Sequence, residues 1–455
     1  MPIKSVKTSE ATKEAVKEPE KTKEFKARTD RQRLMYELKQ RYHFHLNEIK
    51  GRPEYCLKGE DDPFNITGYK PVDEYAVNSI INELDAETDL RKVSADVIFS
   101  ILNSDFVKMY HPVKAYFNSF ERSDFWEKTE GTTHIEKLAN TLKTPNPKTF
   151  ALALQRWMSS SIAQVFEGDS VLGKNQTAIV LCSDAHGVGK TSWISMLCPT
   201  CFKVDYYFQG KIRDLDSNEV PILLAEKFIL NIDDQFHNLV RKDNNTMKTY
   251  ISHGKITTRR TYGRYNVELP RLGNFIGSIN GNAFLDDEAN RRYYPFVALS
   301  VDWPTLNLID VDFAWMEAYK IYKLYKQTRH EQYRYWWTPE DIEKHFGDLS
   351  DFKQNSQEFE LFLQYFEPCK FESDNGLYMT NSSILTELKY LSKASNLSDK
   401  KLGSALKRLN CFQTRKKISG VSTQVYKVQK RDIEDFENRI NGVGKYAPKQ
   451  GDIFN

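Results

Sequence analysis

"TAIVLCSDAHGVGKTSWISML", residues 177–197, decides the fold. An apolar run of strand length enters a glycine-bearing turn and leaves into a helical segment, the setting in which backbone N–H groups and a helix N-terminus converge on phosphates. Gly187 and Gly189 let the backbone approach a ligand, Lys190 would reach the β- and γ-phosphates, and the Thr191 hydroxyl would bind Mg²⁺. With Val188 and Ser192 they form the candidate nucleotide-binding stretch. The usual pattern GxxxxGK[ST] would put glycine where Asp184 stands. Aspartate is expected to make the same bend, because it tolerates left-handed backbone angles. A chance glycine-lysine turn is the competing reading.

The next apolar strands of the chain favour the phosphate loop. "FILNIDD" (228–234) is a buried strand ending in two carboxylates. Asp233 suits the magnesium shell and Asp234 the orientation of the attacking water, although such a pair also occurs as a solvated strand end. "NFIGSIN" (274–280) is a second apolar strand, ending in Asn280, a candidate sensor of the γ-phosphate. "DDEANRRYYPF" (286–296) sets Arg291 and Arg292 before a further strand. Either would serve as an arginine offered to a neighbouring subunit's γ-phosphate, and a surface pair bonded to Asp286 or Asp287 is the alternative.

Between the acidic strand and the asparagine strand lies "GKITTRRTYGRYNVELPR" (254–271), which alternates like a hairpin turning at Gly263. It carries Lys255, Arg259, Arg260, Arg264 and Arg271 against one acid, Glu268, with Tyr262 and Tyr265 interleaved. Cations hold phosphates while rings stack on bases, so this composition suits single-stranded DNA. Tyrosines packing across a basic surface hairpin are the alternative.

The chain has 455 residues, enough for about three domains. Its 65 basic and 62 acidic residues leave a net charge of only +3, so the partner must be read from the distribution of charge. No apolar run reaches the roughly 18 residues that span a bilayer, and no apolar segment follows the first charges, so a soluble, cytoplasmic protein without membrane contact is expected. Six cysteines make no disulfide framework, and Cys198 and Cys201 have neither a second CxxC nor a nearby histidine to complete a zinc site.

Residues 1–30 alternate lysine and glutamate and read as a disordered tail. A hairpin is expected in "RYHFHLNEIKGRPEYCLKG" (41–59), then helical periodicity to about 167, together a region over 31–170. Short buried strands separated by helical stretches give an α/β domain over 171–330, the one that holds the candidate nucleotide site. A linker over 331–357 leads to a domain at 358–432 and a tail at 433–455. In that last domain, "TNSSILTELKYLS" and "SDKKLGSALKRLN" read as capped helices, and "CFQTRKKISGVSTQVYKVQ" reads as two strands turning near Gly420. This is the winged-helix order. From Lys400 to Arg431 ten residues are basic (Lys400, Lys401, Lys407, Arg408, Arg415, Lys416, Lys417, Lys427, Lys430, Arg431) and none is acidic, an electrostatic footprint for nucleic acid. Lys407, Arg408, Arg415, Lys416 and Lys417 are the candidate contacts, and a protein-binding winged helix is the alternative.

In the order "HGVGKTS", "FILNIDD", "TTRRTYGRYNVELPR", "FIGSIN", "DDEANRRYYPF", the chain resembles the virulence-associated protein E family over about residues 100–330. The ATPase of that family is similar to superfamily 3 helicases of the AAA+ class from mobile genetic elements. The resemblance implies a multidomain α/β fold with an AAA+ phosphate-loop core, preceded by a mainly helical collar. It also implies ATP and Mg²⁺ as cofactors, and a homo-hexameric replicative DNA helicase in a bacterial host, working on single-stranded or forked DNA beside a separate primase. It assigns Lys190 and Thr191 to the nucleotide, Asp233 and Asp234 to magnesium and water, Asn280 to the sensor and Arg291 or Arg292 to the finger, and it places the basic hairpin in the central channel. Asp184 and the aspartate at 234, where glutamate is more usual, depart from the pattern. They leave a DNA-binding initiator or switch ATPase as the alternative, with a phosphate-loop small-molecule kinase as a second.

Overall fold

The computed structural model describes residues 29–59, 68–90, 93–129, 131–168, 170, 173–212, 214–233, 244–258, 266–281, 283–285, 292–347, 349, 352, 355–418 and 420–431. The chain divides into two compact units, residues 1–110 and 111–455. Both charged tails lie outside the described residues, apart from Thr29 and Asp30.

In the first unit, α1 (Asp30–Arg41) starts where the Thr29 hydroxyl accepts the Gln32 N–H. The expected hairpin is present as β1 (Tyr42–Asn47) and β2 (Arg52–Leu57), antiparallel with Tyr42 opposite Leu57. Its turn closes because the Asn47 side-chain oxygen accepts the N–H groups of Ile49 and Lys50. β3 (Lys70–Pro71), α2 (Glu74–Glu87), α3 (Ala95–Leu102) and β4 (Lys108–Tyr110) come next, and the sheet runs β3-β2-β1-β4. Alternation along β1 sends Tyr42, Phe44 and Leu46 toward Leu38, Val77, Ile80 and Ile101.

The second unit opens with α4 (Pro112–Ser119), α5 (His134–Ala139), β5 (Leu142–Lys143) and α6 (Pro147–Glu167). Next come β6 (Ala178–Ser183), α7 (Lys190–Met196), β7 (Tyr207–Gly210), α8 (Glu219–Glu226), β8 (Ile229–Ile232), α9 (Asn244–Ser252), β9 (Lys255–Thr258), β10 (Val267–Pro270), β11 (Asn274–Asn280), β12 (Tyr293–Val297), β13 (Ser300–Val301), α10 (Trp303–Leu306), α11 (Val311–Thr328) and α12 (Pro339–Phe346). Five strands form a parallel sheet in the order β12-β6-β11-β8-β7. All five therefore end on one edge. The chain leaves β6 for the far side of the sheet and later returns to β12 on β6's other flank, so strand order reverses at β6, where open α/β sheets form their ligand crevice.

Buried aromatic residues hold the helices to this sheet. The Trp157 indole of α6 donates to the Phe275 carbonyl of β11 at 2.9 Å, and the Trp315 indole of α11 donates to the Leu197 carbonyl at 2.8 Å. α6, expected in a collar ahead of the ATPase, is thus packed on the sheet itself. The segment expected as a linker also differs, since residues 331–346 include α12 and its Asp341 bonds Arg156 of α6 at 2.8 Å. Its aromatic residues, Tyr335, Trp337 and Phe346, pack on Tyr322, Arg156 and Tyr294.

The chain ends in α13 (Gln357–Tyr365), β14 (Phe366–Pro368), β15 (Leu377–Met379), α14 (Asn381–Ser392), α15 (Asp399–Arg408), β16 (Gln413–Ile418) and β17 (Val421–Lys430). β17 pairs with β14, β15 and β16. Phe362, Ile384, Leu388, Leu402, Leu406 and Val428 fill a separate small core. The whole is a multidomain α/β architecture. Among the described residues no helix is long and apolar enough to cross a membrane.

Candidate functional site

At the carboxyl edge of β6 the Ser183 hydroxyl accepts the Ala185 N–H at 3.1 Å and turns the chain out of the strand. Asp184 is solvent-exposed and does not adopt a left-handed conformation, contrary to expectation. The left-handed positions are Gly187 (φ +77°) and Gly189 (φ +92°), where a side chain would be strained. Gly189 is also spatially required, since a β-carbon there would lie 2.5 Å from Cζ2 of Trp303. Val188 lies between them and exposed Ser192 on the first turn of α7.

Lys190 and Thr191 then fall beside the ends of β11 and β8. The largely buried Lys190 ammonium donates to Oδ1 of Asn280 at 3.3 Å. The Thr191 hydroxyl donates to Oδ1 of Asp233 at 2.7 Å, and the Ser278 hydroxyl donates to the same oxygen at 3.2 Å. Four positions singled out in the sequence, two on the first turn of α7 and one at each of two strand ends, thus converge. Two further participants were not anticipated. Ser278 is one, and Asn231 is the other, its amide donating to the Thr191 carbonyl at 3.1 Å and to the Tyr207 hydroxyl at 2.9 Å. Burial pushes that tyrosine up to about 12 despite the Asn231 bond. A two-residue spacing, Asn231 to Asp233 and Ser278 to Asn280, puts each pair on one face of its strand and would have disclosed both.

The donor set fits magnesium. Thr191 and Asp233 offer two adjacent oxygens, and Mg²⁺ takes one or two protein oxygens while keeping water and phosphate ligands. No group of three or more candidate metal ligands occurs among the described residues, and an ion held in that way does not need one. Cys198 and Cys201 are free thiols that burial pushes up to about 12.

Arg292 lies elsewhere. It precedes β12, its carbonyl accepts the Ala178 N–H at the start of β6, and its Nε donates to the Ser252 hydroxyl at 3.0 Å. That is the edge of the sheet opposite Lys190. Asp234, Arg291 and the hairpin residues Arg259, Arg260, Tyr262, Arg264 and Tyr265 lie outside the described residues. The stem of that hairpin is antiparallel β9–β10, with Lys255 paired to Glu268 at 3.2 Å. Arg271, counted with the hairpin cations, is instead 1% exposed. Its guanidinium donates to the carbonyls of His253, Gly273 and Asn175 and to Oε1 of Gln164, and burial pushes it down to about 9.

In the C-terminal domain Lys407, Arg415, Lys416 and Lys417 are exposed, the Lys416 ammonium 3.2 Å from the Tyr378 ring centroid, whereas Arg408 is half-buried with its guanidinium 4.6 Å from the Phe359 ring centroid. The basic stripe is narrower than expected, because Lys427 is buried, Lys430 pairs with Glu387 and Arg431 with Glu367.

Fold and cluster together define a multidomain α/β protein whose parallel sheet gathers a lysine, a threonine, a carboxylate and an amide at one strand edge. Residues 123–356 match the virulence-associated protein E-like domain, and the chain belongs to that family. Among solved structures it is similar to the apo structure of the NrS-1 C-terminal region, at 13% identity and a TM-score of 0.46 over 86% of this chain and 98% of that one. An A-form apo structure of the same region is similar at 12% identity and a TM-score of 0.44, over 87% and 98%. No curated protein matches the chain.

Proposed function

We propose that the chain is an ATP-dependent DNA helicase of a mobile genetic element, an AAA+ motor that hydrolyses ATP between subunits of a ring. The observation that carries this reading is the Thr191–Asp233 contact at 2.7 Å beside the Lys190–Asn280 contact. Phosphate-loop hydrolysis needs a lysine for the phosphates, a hydroxyl and a strand-end acid for the metal, and a polar group from the strand between them. β11, which bears Asn280, lies between β6 and β8. ATP with Mg²⁺, when bound, supplies the γ-phosphoryl group. Lys190 would turn from Asn280 to that phosphate, Thr191 and Asp233 would hold the metal, and Asn280 would orient the attacking water with Asp234.

The position of Arg292 supports a shared site. The six residues of β6 separate it from the loop by about 16–20 Å, so it cannot reach its own chain's phosphates and suits a neighbour's. The helix, strand, strand, helix, helix, strand, strand succession from α13 to β17 contains the order of a winged helix, and its exposed lysines and Arg415 suit duplex DNA ahead of the ring. Lys190→Ala is expected to lower ATP turnover at least about 100-fold and to abolish unwinding of forked DNA, with an unchanged circular dichroism spectrum. Undiminished turnover in that folded variant overturns the assignment.

A further inference from the structure

Trp303 is a large aromatic residue held against the phosphate-loop candidate while 36% of its surface stays open to solvent. Its ring meets the α-carbon side of Gly189, one residue before Lys190. Its position is fixed from two directions. The Asp302 N–H donates to the Thr141 carbonyl at 2.8 Å, and the Thr141 hydroxyl accepts the Trp193 indole N–H from α7 at 2.8 Å. Asp302 also caps α10, accepting the Thr305 N–H at 3.2 Å and its hydroxyl at 2.9 Å. Thr141 thus links the helix that carries Lys190 and Thr191 to the turn that carries Trp303.

An indole tied this firmly to the loop, with an uncovered surface, has the attributes of a stacking platform. Indole stacks on the π-face of any base, whereas the loop recognises only phosphate. We propose that Trp303 binds the base of the nucleotide whose phosphates are held at Gly187–Thr191, so that one side chain sets the difference in affinity between a nucleoside triphosphate and a bare polyphosphate. This rests on the nucleotide reading of the same loop.

The test is calorimetric titration of the full chain with ATP, ADP and inorganic tripolyphosphate, each with Mg²⁺, for the wild type, Trp303→Leu and Trp303→Phe. Leucine keeps an apolar contact on Gly189 but removes the ring. ATP and ADP are expected to bind Trp303→Leu about ten-fold more weakly, tripolyphosphate to bind as before, and Trp303→Phe to recover most of the loss. Unchanged ATP affinity in Trp303→Leu, or an equal loss for tripolyphosphate, overturns the platform while leaving the loop assignment in place. A wild-type chain that binds neither ATP nor tripolyphosphate overturns the loop assignment, and the platform with it.

Discussion

Arg271 ends a stretch whose cations suit DNA, yet all its bonds run inward to neutral oxygens of α6, the 175 loop and the turns around His253 and Gly273. A buried guanidinium with several acceptors is a fastener, and removing it strands the acceptors. Arg271→Met is therefore expected to destabilise the second unit by about 3–5 kcal/mol, read as a lower denaturant midpoint. A midpoint equal to wild type would show that the acceptors find other partners. At the site, Asp233 accepts from both Thr191 and Ser278. Asp233→Asn is expected to keep nucleotide binding but slow turnover about 100-fold or more, since a neutral amide holds Mg²⁺ poorly. Equal turnover would remove Asp233 from the metal's shell. The convergence of Lys190 and Thr191, which open the helix after β6, with the strand-end residues Asp233 and Asn280 was legible because apolar strands lead into all three segments. Trp303 was not, because more than a hundred residues separate it from Gly189 and only the return of the chain past β12 brings them together.

At the scale of elements, α12 is latched to α6 through Asp341, which accepts from Arg156 at 2.8 Å and from Arg334 at 2.7 Å. Burial alone would raise the Asp341 carboxyl, but the Thr338 N–H and the two arginines outweigh it and hold it below the ordinary range. Burial also lowers the Arg156 guanidinium in spite of that acid, so desolvation offsets part of the attraction. A carboxyl depressed in the folded chain contributes stability that is complete above its unfolded value and is lost as pH falls through the folded one. Asp341→Asn is expected to cost about 3 kcal/mol at neutral pH, and the gap from wild type should begin to narrow only as pH falls to ~4, the unfolded value, and go on narrowing as pH falls through the depressed folded one. A gap independent of pH would mean that the carboxylate charge is not what latches the helix. The alternating and helical periods disclosed β6, β8, β11, β12, α6 and the C-terminal helices. They did not disclose that α12 belongs with the sheet, because "FGDLSDFKQNSQEF" is polar and the aromatic anchors, Tyr335 and Trp337, come before it. Strand order was equally hidden, since β7 is a short edge strand of mixed polarity and parallel neighbours are set by packing.

At the scale of the molecule, the two edges of the parallel sheet carry different halves of the proposed chemistry. Lys190, Thr191, Asp233 and Asn280 stand on the carboxyl edge, and Arg292, following Arg291, stands at the amino edge. In the proposed ring one copy's amino edge would lie beside the next copy's loop, and turnover would be a property of the assembly. The most direct measurement is ATP turnover with DNA present for Lys190→Ala, for Arg291→Ala/Arg292→Ala, and for an equimolar mixture of the two. Each variant alone is expected to be inactive. The mixture should regain activity, because some interfaces then pair an intact loop from one copy with intact arginines from its neighbour. A mixture as inactive as its components would contradict the shared site.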